Sequence, residues 1–373
     1  MAVYIKNFNV DSFRGIHQLA VDKTNHINII VGDNNCGKTS VLEAMLLLRN
    51  PADFANVLRI ARLRNIYFMD GIPSIYENFI NLFPKDDTEM TIAVNALYND
   101  DFSTYCLSGE QKRIMLDPED LAKSFPLSKR KGVLREYGSV PFETDAFVGK
   151  IQYDFGESKG WLDVDLNIYS SVSGREVDLG YFLEIVYLAP FNHVQGNIFN
   201  TIVSNDSYKE ICLQVLRIFD PEIADLLILR NEKNDRPVEY LKHTKLGNMP
   251  LSTYGDGIKK VLSIANGIAQ AAGGVLLIDE VETAIHSRYY NEIFRFIVKA
   301  CLQFKVQLFL TTHSIEAVDG FLGTQDYDTQ NDFDDIQVIT LRKEKGDRKT
   351  YSRVLKGRKV FINREQFNFE ARL

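Results

Sequence analysis

A glycine-rich segment, GDNNCGKT at residues 32–39, has the residue types and spacing of a phosphate-binding loop. It matches the pattern G-x-x-x-x-G-K-[ST], in which backbone N–H groups surround a polyphosphate, the lysine contacts the outer phosphates and the hydroxyl binds Mg²⁺. Lys38 supplies the amine and Thr39 the hydroxyl. An ordinary glycine turn is the alternative interpretation. The residues expected to contact phosphate or its metal are Gly32, Asn34, Asn35, Cys36, Gly37, Lys38, Thr39 and Ser40.

A second segment, GGVLLIDEVETAIH at residues 273–286, places two acids at the end of an apolar run. Residues 275–278 predict a buried strand that ends at Asp279 and Glu280. An aspartate at the carboxyl end of such a strand can reach Mg²⁺ beside the loop threonine, and the glutamate can orient and deprotonate an attacking water. Solvated acids at a strand end explain the pattern equally well on its own. Its pairing with the loop favours Thr39 and Asp279 as metal ligands and Glu280 as a general base.

A histidine follows a third apolar run, VQLFLTTHSIEAV at residues 306–318. His313 comes one predicted helix, at 286–303, after the Asp279 strand and is expected at the same edge of the sheet. There it could touch a γ-phosphate, although a lone histidine at a strand end is more often structural.

The elements around these residues predict an α/β P-loop fold. HINIIV at 26–31 is typical of a strand buried in a parallel sheet, and TSVLEAMLLLRN at 39–50 is rich in helix formers and stops at Pro51. The N-terminus of that helix adds unpaired N–H groups and its positive dipole end to the phosphate site. Three alternating stretches, at 88–99, 149–155 and 160–171, predict an antiparallel β-lobe beside the parallel core.

The predicted organisation has three parts: an N-terminal lobe at 1–100, a small mixed insertion with antiparallel strands at 101–180, and a C-terminal lobe at 181–373. Within the insertion, DPEDLAKSF at 117–125 reads as helical and SKRKGVLR at 128–135 is basic. The insertion is too short, and lacks the sustained heptads, for a long coiled coil.

Composition narrows the class of protein. A chain of 373 residues with 45% hydrophobic residues can bury a large core. It lacks a run of eighteen apolar residues and a basic-then-apolar N-terminus, so we expect a cytoplasmic protein with no membrane partner. The four cysteines have no C-x-x-C spacing, which favours reduced, mostly packed thiols over a zinc site or disulfides. A net charge of −7 argues against a uniformly basic surface for nucleic acid.

The motifs resemble, in their order, those of ABC-type ATPases of the RecF and OLD (overcoming lysogenization defect) kind, which are related to SMC heads. The resemblance rests on NFNVDSFRGIHQLAVDKTNHINIIVGDNNCGKTSVLEAMLLL and on the later YLAPFN, VLRIFDPEI, PLSTYGDGIKKVLSIA, LLIDEVETAIH and FLTTHSIEAV, about two thirds of the chain. The sequence departs from the family at Cys36, where serine is commoner, and at Ile285 and Ser287, where Leu and Pro are common. The family's Q-loop glutamine has no clear counterpart.

The resemblance implies ATP and Mg²⁺ as cofactors, and a role for each motif. Lys38 and Thr39 would form the Walker A site, Asp279 and Glu280 the Walker B pair, and His313 the switch histidine. The STYGDG segment would be the signature motif, which faces the γ-phosphate of the opposite subunit, with Ser252, Gly255 and Gly257 as its contacts. Glu282 and His286 would lie in the D-loop region, and Arg14 would reach the nucleotide phosphates.

A second segment, CLSGEQKR at 106–113, is closer in its letters to the LSGGQ signature of ABC ATPases. Spacing argues against it, because Gly257 lies about twenty residues before Asp279 and Gly109 about 170. Residues 107–111 are instead predicted to form a polar turn before a short strand, RIML.

The resemblance implies an ATPase that pairs head to tail with a second copy, as a homodimer or higher homo-oligomer. Many OLD proteins carry a TOPRIM nuclease domain, whereas the roughly sixty residues given after His313 are too few for a second acidic catalytic cluster, so any nuclease is expected to be a separate polypeptide. The resulting hypothesis is a sensor or scaffold, triggered by DNA or a phage protein, that controls a separate TOPRIM or HNH effector nuclease in phage defence.

Two other functions stay open at this point. One is a RecF-like ATPase of DNA repair, and the other is a slow-turnover scaffold assembled by nucleotide. Residues 342–373 hold eleven Lys or Arg against four acids, which suits either a solvated strand pair or a surface that binds a phosphate backbone or docks a partner. The basic residues proposed as its contacts are Lys343, Lys345, Arg348, Lys349, Arg353, Arg358 and Lys359.

Overall fold

The computed structural model describes residues 3–64, 74–85, 89–123, 140–156, 158–170, 183–194, 200–230, 236–327, 334–367 and 369–372. The strands are β1 (Ile5–Phe13), β2 (Ile16–Val21), β3 (Ile27–Gly32), β4 (Met90–Tyr98), β5 (Asp101–Leu116), β6 (Phe142–Phe155), β7 (Ser158–Asn167), β8 (Ile185–Leu188), β9 (Ile223–Arg230), β10 (Pro237–His243), β11 (Gly247–Pro250), β12 (Val275–Ile278), β13 (Gln307–Thr311), β14 (Ile336–Lys343) and β15 (Thr350–Lys356). The helices are α1 (Lys38–Met45), α2 (Phe54–Arg62), α3 (Ile75–Ile80), α4 (Pro118–Lys123), α5 (Asn200–Val203), α6 (Asp206–Phe219), α7 (Asp256–Gln270), α8 (Tyr290–Gln303), α9 (Ile315–Leu322) and α10 (Gly357–Phe367). Short 3₁₀ helices occur at Leu46–Leu48, Asn192–Val194, Leu251–Thr253 and Ser287–Tyr289.

A parallel sheet carries the predicted motifs. Its strand order is β15-β14-β3-β13-β12-β8, and only β15, at one edge, runs antiparallel to its neighbour. In this register Ile30 lies beside Thr311, and Leu310 lies beside Ile278. The loop after β3, the acids after β12 and the histidine after β13 therefore emerge at the same edge, as predicted for parallel strands.

Burial on both faces explains the continuous apolar runs. In β3, Ile27, Ile29 and Val31 face a core formed with α7, α8 and α9, whereas Ile30 faces the core shared with α1 and the antiparallel sheet. All six residues of β3 and all four of β12 are buried. The α/β P-loop fold with a parallel core is confirmed, and β12 has the bounds predicted from its sequence.

The second sheet is antiparallel, in the order β2-β1-β4-β5-β6-β7, and forms the predicted β-lobe. The lobe is tied to the parallel core by Gln307 at the start of β13. The Gln307 side chain accepts hydrogen bonds from the backbone N–H of Tyr4 and Ile5 and donates one to the Ile5 carbonyl. Because Gln307 is fully buried, these bonds fix how the lobe sits over the parallel sheet.

The turn predicted at residues 107–111 is wrong. These residues lie inside β5, a sixteen-residue strand that pairs with β4 on one side and β6 on the other. Gly109 faces Gly149 across the β5–β6 pair, and the Phe147 ring occupies the space that a Cβ on either glycine would need. The glycine therefore serves a close contact within the sheet rather than a chain reversal.

The remaining predictions concern the segment at 117–135, the cysteines, membrane spans and the insertion. The helix predicted at 117–125 appears as α4, while the basic stretch 128–135 lies outside the described residues. All four cysteines are free; Cys106 is half-buried and the others are buried. No helix within the described ranges is both long and apolar enough to span a bilayer. The assignment of 101–180 as an insertion stays a prediction.

Candidate functional site

The loop between β3 and α1 has a backbone that demands glycine at two positions. Gly32 has a φ of +142°, and a Cβ there would lie 2.2 Å from the carbonyl oxygen of Leu341 in β14. Gly37, which precedes α1, has a φ of +104°, and Asn35 has a φ of +63°. Most residues with a Cβ rarely adopt positive values of φ, although asparagine tolerates the left-handed value found at Asn35. The loop is therefore packed directly on β14, and its shape is set by the sheet.

Lys38 reaches back across this loop. It is 5% exposed, and its Nζ donates hydrogen bonds to the carbonyl oxygens of Gly32, at 2.8 Å, and Asp33, at 2.9 Å. The amine is thus held within the loop, where it can contact phosphates bound by the loop N–H groups.

Asp279 is the centre of a cluster of hydroxyl groups. Its carboxylate accepts hydrogen bonds from Thr39 Oγ1 at 2.9 Å, Thr311 Oγ1 at 2.6 Å and the Tyr187 hydroxyl at 3.4 Å. Asp279 is only 4% exposed, and burial together with its charge raises the pKa of the Tyr187 phenol, which stays protonated as a donor. Four elements (α1, β8, β12 and β13) therefore converge on one carboxylate.

Glu280 and His313 lie side by side at the open edge of this cluster. Glu280 has a φ of +46°, its N–H donates to Thr311 Oγ1 at 2.8 Å, and its carboxylate is 3.8 Å from His313 Nε2. The His313 N–H donates to Glu282 Oε1 at 2.7 Å. The side chains of Glu280 and His313 are 39% and 42% exposed, so both are accessible to a ligand or a water molecule.

A buried lysine that the sequence did not single out supports Glu280 from behind. Lys260, in α7, is 2% exposed, and its Nζ donates to the carbonyl oxygens of Pro190 at 3.1 Å and Glu280 at 3.4 Å. Burial lowers its pKa to about 8, although the nearby acids Glu282, Asp279 and Glu280 act in the opposite direction. The helix that follows STYGDG is therefore joined to the backbone of the candidate general base.

Arg14 lies in a buried ion cluster on the other side of α1. Its Nε is 2.8 Å from Glu43 Oε2, and Glu43 also accepts hydrogen bonds from Arg64 at 2.6 and 2.8 Å. Arg64 in turn donates to Ser40 Oγ at 2.9 Å. Burial lowers the pKa of Arg14, whereas the pKa of Arg64 is raised because its contacts with Glu43 outweigh its burial. Arg14 contacts α1 rather than the loop, and its role at the phosphates stays a prediction.

The signature candidates lie at the N-terminus of α7. Ser252 and Gly255 are exposed, and a Cβ on Gly255 would meet no atom within 4 Å. Gly257 instead packs against the loop after β12, because its added Cβ would lie 3.1 Å from the Ala284 carbonyl oxygen. The structure therefore places this segment beside the loop that follows β12 in the same chain, with one face open to solvent.

Two residues near the C-terminus complete the site. A cleft of about 320 Å³ is lined by Gly32, Asp33, Asn34, His313, Glu370 and Arg372. Arg372 donates to the His313 carbonyl oxygen at 3.0 Å and to Glu370 at 2.7 and 2.8 Å. No motif in the sequence marked these two residues.

The residues present fit Mg·ATP. Magnesium takes oxygen ligands and keeps several waters, and it is usually held by one or two protein groups plus phosphates. Thr39 and Asp279 supply two such oxygens, while Gly32, Gly37 and Lys38 shape the phosphate loop beside them. The described residues contain no group of three or more His, Cys, Asp or Glu side chains that could hold a metal, so the fit depends on phosphate oxygens.

The structure adds side chains that sequence reasoning missed. Tyr187 and Thr311 both touch the Asp279 carboxylate, and only Thr311 had a usable signal, because it directly precedes the Thr312–His313 pair. Lys260 lies 20 residues before Glu280, and Arg372 lies 59 residues after His313. Spacing in the sequence therefore could not reveal either contact.

Comparisons with known proteins show what the chain is similar to. The family model described as "AAA domain, putative AbiEii toxin, Type IV TA system" matches residues 27–319, which include the phosphate loop, the acidic pair and His313. An ATP/GTP phosphatase of Helicobacter pylori is 24% identical over 344 residues, which cover 87% of this chain and 90% of that protein. The DNA replication and repair protein RecF of Oenococcus oeni is 23% identical over 375 residues, which cover 85% of this chain and 95% of RecF.

Among solved structures, an Smc head domain with an extended coiled coil, bound to the C-terminal domain of ScpA and derived from Pyrococcus furiosus, is 12% identical with a TM-score of 0.49. It covers 98% of this chain and 100% of that one. Because the family model spans well over half of the residues, the chain belongs to the family of that AAA domain, a family of P-loop, ABC-type, nucleotide-binding ATPases.

Proposed function

We propose that this protein is a Mg²⁺-dependent ATPase whose reaction takes place at the shared edge of β3, β12 and β13. The observation that carries the proposal is the contact between Thr39 and the buried Asp279 carboxylate, directly beside Lys38 and Glu280. A threonine hydroxyl and a strand-end aspartate are the two protein ligands that P-loop NTPases give to magnesium.

Each group in the site has a distinct chemical task. Lys38 neutralises charge on the outer phosphates, and the loop N–H groups bind their oxygens. Magnesium held by Thr39 and Asp279 would supply further positive charge to the phosphates. Glu280 orients the attacking water and accepts its proton, and His313 contacts the γ-phosphate. The hydrogen bonds from Thr311 and Tyr187 hold the Asp279 carboxylate in a single orientation.

A second copy of the chain would complete the site. The exposed Ser252 and Gly255 have no visible function within their own protomer, and the N-terminus of α7 offers N–H groups suited to a phosphate. Gly257 and the D-loop residues Glu282 and His286 would then lie near the interface. In this arrangement two chains pair head to tail, with one nucleotide between each loop and the partner's signature segment.

Mass photometry with and without Mg·ATP tests the pairing. Glu280→Gln should bind ATP but hydrolyse it very slowly, so it should accumulate a larger nucleotide-dependent assembly than the wild type. Glu292→Gln, an exposed change on α8, is the matched control and should behave as the wild type. An assembly of constant size would contradict the nucleotide sandwich, and a constant assembly with negligible phosphate release would favour the slow-turnover scaffold.

For the cellular role, we propose a sensor or scaffold that controls a separate TOPRIM or HNH nuclease during phage defence, with DNA or a phage protein as trigger. The proposal rests on the resemblance of the motifs to OLD-type ATPases, and the family description, which names a putative toxin of a type IV toxin–antitoxin system, fits only its coarser part, a protein that acts together with a second gene product. Phage plating on cells carrying the wild type or Lys38→Ala provides the test. Equal protection by both would exclude an ATP-dependent defence role.

Duplex DNA binding, as in a RecF-like repair ATPase, is the second candidate. It is favoured by basic side chains on the β14–β15 hairpin and α10. Those that are exposed include Lys345, Arg348, Lys349, Arg353 and Lys359. Lys343 and Arg358 are half-buried. Binding by these residues should weaken steeply with salt, and replacing Arg348 and Lys349 by Gln should reduce the slope of log affinity against log salt by about 2. An unchanged slope would remove these two residues as DNA contacts.

A further inference from the structure

The cleft beside the phosphate loop has an unusual charge distribution for a site that receives a polyanion. Two carboxylates, Asp33 and Glu370, line it together with His313. Among the cleft-lining residues that the structure describes, Arg372 is the only Lys or Arg. A terminal phosphate entering this cleft would meet two carboxylates and one guanidinium there, with the Lys38 amine held on the loop beside them.

The segment that carries Glu370 and Arg372 is held firmly in place. Thr340 in β14 donates a hydrogen bond to the Ala371 carbonyl oxygen at 2.7 Å, and Arg364 in α10 donates to the Phe369 carbonyl oxygen at 2.8 Å. Ala371 is 1% exposed and lies in the core shared with α9 and α10. Arg372 is therefore positioned at the cleft by packing and backbone contacts.

The contacts of Arg372 leave part of its guanidinium group available. Its Nε and one terminal nitrogen donate to the two oxygens of Glu370, and the other terminal nitrogen donates to the His313 carbonyl oxygen. A guanidinium carries five N–H groups, so these three bonds leave two. The hydrogen bonds from Arg372 lower the pKa of Glu370 to about 2, so that Glu370 is ionised at neutral pH.

We propose that Arg372 binds the terminal phosphate of the nucleotide held by the loop at 32–39, and that Glu370 competes with that phosphate for the guanidinium. The inference rests on the proposed ATPase function and deepens it. With a triphosphate bound, the terminal phosphate takes over the bidentate contact that Glu370 makes in this structure. With a diphosphate, Arg372 stays on Glu370, so the pair favours ATP over ADP.

The movement also links nucleotide state to His313. Arg372 donates to the His313 carbonyl oxygen, and Glu282 accepts from the His313 N–H. A guanidinium that turns from Glu370 toward phosphate also moves its contact with the His313 carbonyl oxygen. The switch histidine is then adjusted in the same step that binds the terminal phosphate.

Calorimetric titration with Mg·ATP and with Mg·ADP tests the proposal, in a Glu280→Gln background that prevents turnover. Arg372→Met should weaken ATP binding by about 10- to 100-fold, as expected for a hydrogen bond to a charged group, and should change ADP binding by less than about threefold. Glu370→Gln should have the opposite effect and tighten ATP binding several-fold, because it removes both a competitor and a negative charge. Arg113→Met, which removes an exposed arginine that pairs with Glu143 and Asp145 on the antiparallel sheet, is the matched control and should leave both affinities unchanged.

The opposite signs separate this role from a structural one. If the pair only fixes the segment 369–372, both variants should weaken ATP and ADP alike, and that result would overturn the proposal. Unchanged ATP affinity in Arg372→Met would overturn it as well. If the parent protein binds neither nucleotide, the ATPase proposal itself fails. If Arg372→Met folds poorly, the Glu370→Gln variant still tests the inference, because tighter ATP binding supports it and weaker ATP binding overturns it.

Discussion

Thr39 and Asp279 are 240 residues apart in the chain, yet Thr39 Oγ1 donates a hydrogen bond of 2.9 Å to Asp279 Oδ2. The contact exists because β3 and β12 flank β13 in one parallel sheet, and α1 begins directly after the loop that follows β3. Each of the two oxygens is a suitable magnesium ligand, and neither would form a site alone. The sheet order therefore creates the proposed metal position, and its supporting residues can be tested one by one.

Thr311→Val should weaken the response to magnesium. The valine keeps the shape of the side chain but removes the hydroxyl that donates to Asp279 and accepts from the Glu280 N–H. Loss of such a supporting contact commonly reduces metal affinity by about 10- to 100-fold. ATPase activity measured against Mg²⁺ concentration should show the shift. Thr350→Val, another buried threonine on β15 with no hydrogen-bonded side-chain partner in the described part of the chain, should leave the magnesium curve unchanged.

Lys260→Met should lower the turnover rate by about 10- to 100-fold while ATP affinity stays similar, because misplacing a catalytic group by about 1 Å costs that much. The lysine holds the carbonyl oxygen of Glu280, whose φ of +46° is otherwise unfavourable. Lys259→Met is the matched control, since Lys259 is the neighbouring residue of α7 and its amine pairs with Asp256 instead. Equal steady-state rates for the two variants would contradict a positioning role for Lys260.

The same lysine should give stability a pH dependence. Its pKa is lowered from 10.5 to about 8 in the folded state by burial, against the opposing charges of Glu282, Asp279 and Glu280. Between pH 8 and pH 10.5 the unfolded chain binds more protons at this lysine than the folded chain does, so the free energy of unfolding rises with pH in that window. Below about pH 8 the lysine is charged in both states, and the whole cost of burying its charge is subtracted from stability. Urea unfolding at about pH 7 and about pH 9.5 should therefore show the wild type gaining stability relative to Lys260→Met. A difference that does not change with pH would mean that the lysine titrates normally.

Gly255→Ala should separate folding from assembly. Gly255 has φ −65° and ψ 157°, values that alanine adopts freely, and its Cβ would meet no atom within 4 Å. We expect the free energy of unfolding to change by less than about 0.5 kcal/mol. ATP-dependent assembly in the Glu280→Gln background should be lost if a partner's phosphate approaches this backbone. Mass photometry showing normal assembly of Gly255→Ala would place the interface elsewhere.

Glu43→Gln should destabilise the protein by about 3 kcal/mol or more, because removing one member of a buried ion cluster leaves the others uncompensated. Glu43 is fully buried and is the shared partner of Arg14 and Arg64. Chemical denaturation of this variant should be compared with Glu119→Gln, an exposed change on α4 that should be neutral. A small effect at Glu43 would indicate that water replaces its carboxylate around the two arginines.

The sequence predicts the strands that are buried on both faces, because such burial requires an unbroken run of apolar residues. β3 and β12 are covered on both faces, so their apolar runs identify them and the chemical residues that follow them. Residues 107–111 misled because a serine-glycine pair is typical of turns, whereas Gly109 here serves the close approach of Phe147. A local pattern cannot distinguish these two uses of glycine.

The supporting side chains could not be predicted for a different reason. A lysine in an amphipathic helix is usually solvated, yet Lys260 points inward because Pro190 and Glu280 offer it carbonyl oxygens. Tyr187 and Arg372 reach the site through strand order and through the path of the chain after α10. Such contacts depend on tertiary arrangement, and no spacing rule encodes them.

The position of β3 between β13 and β14 has a consequence for how the protein is made. Most neighbouring strands of the antiparallel sheet follow one another in sequence, so β4, β5 and β6 can pair soon after they leave the ribosome. β3 has to wait for partners that begin at Gln307 and Ile336. Long-range parallel pairing is slow, and until it forms the apolar residues of β3 have no sheet to join. The nascent chain is therefore expected to gain its nucleotide pocket only after β13 and β14 have left the ribosome, and the segments made before them are where chaperone assistance should matter most.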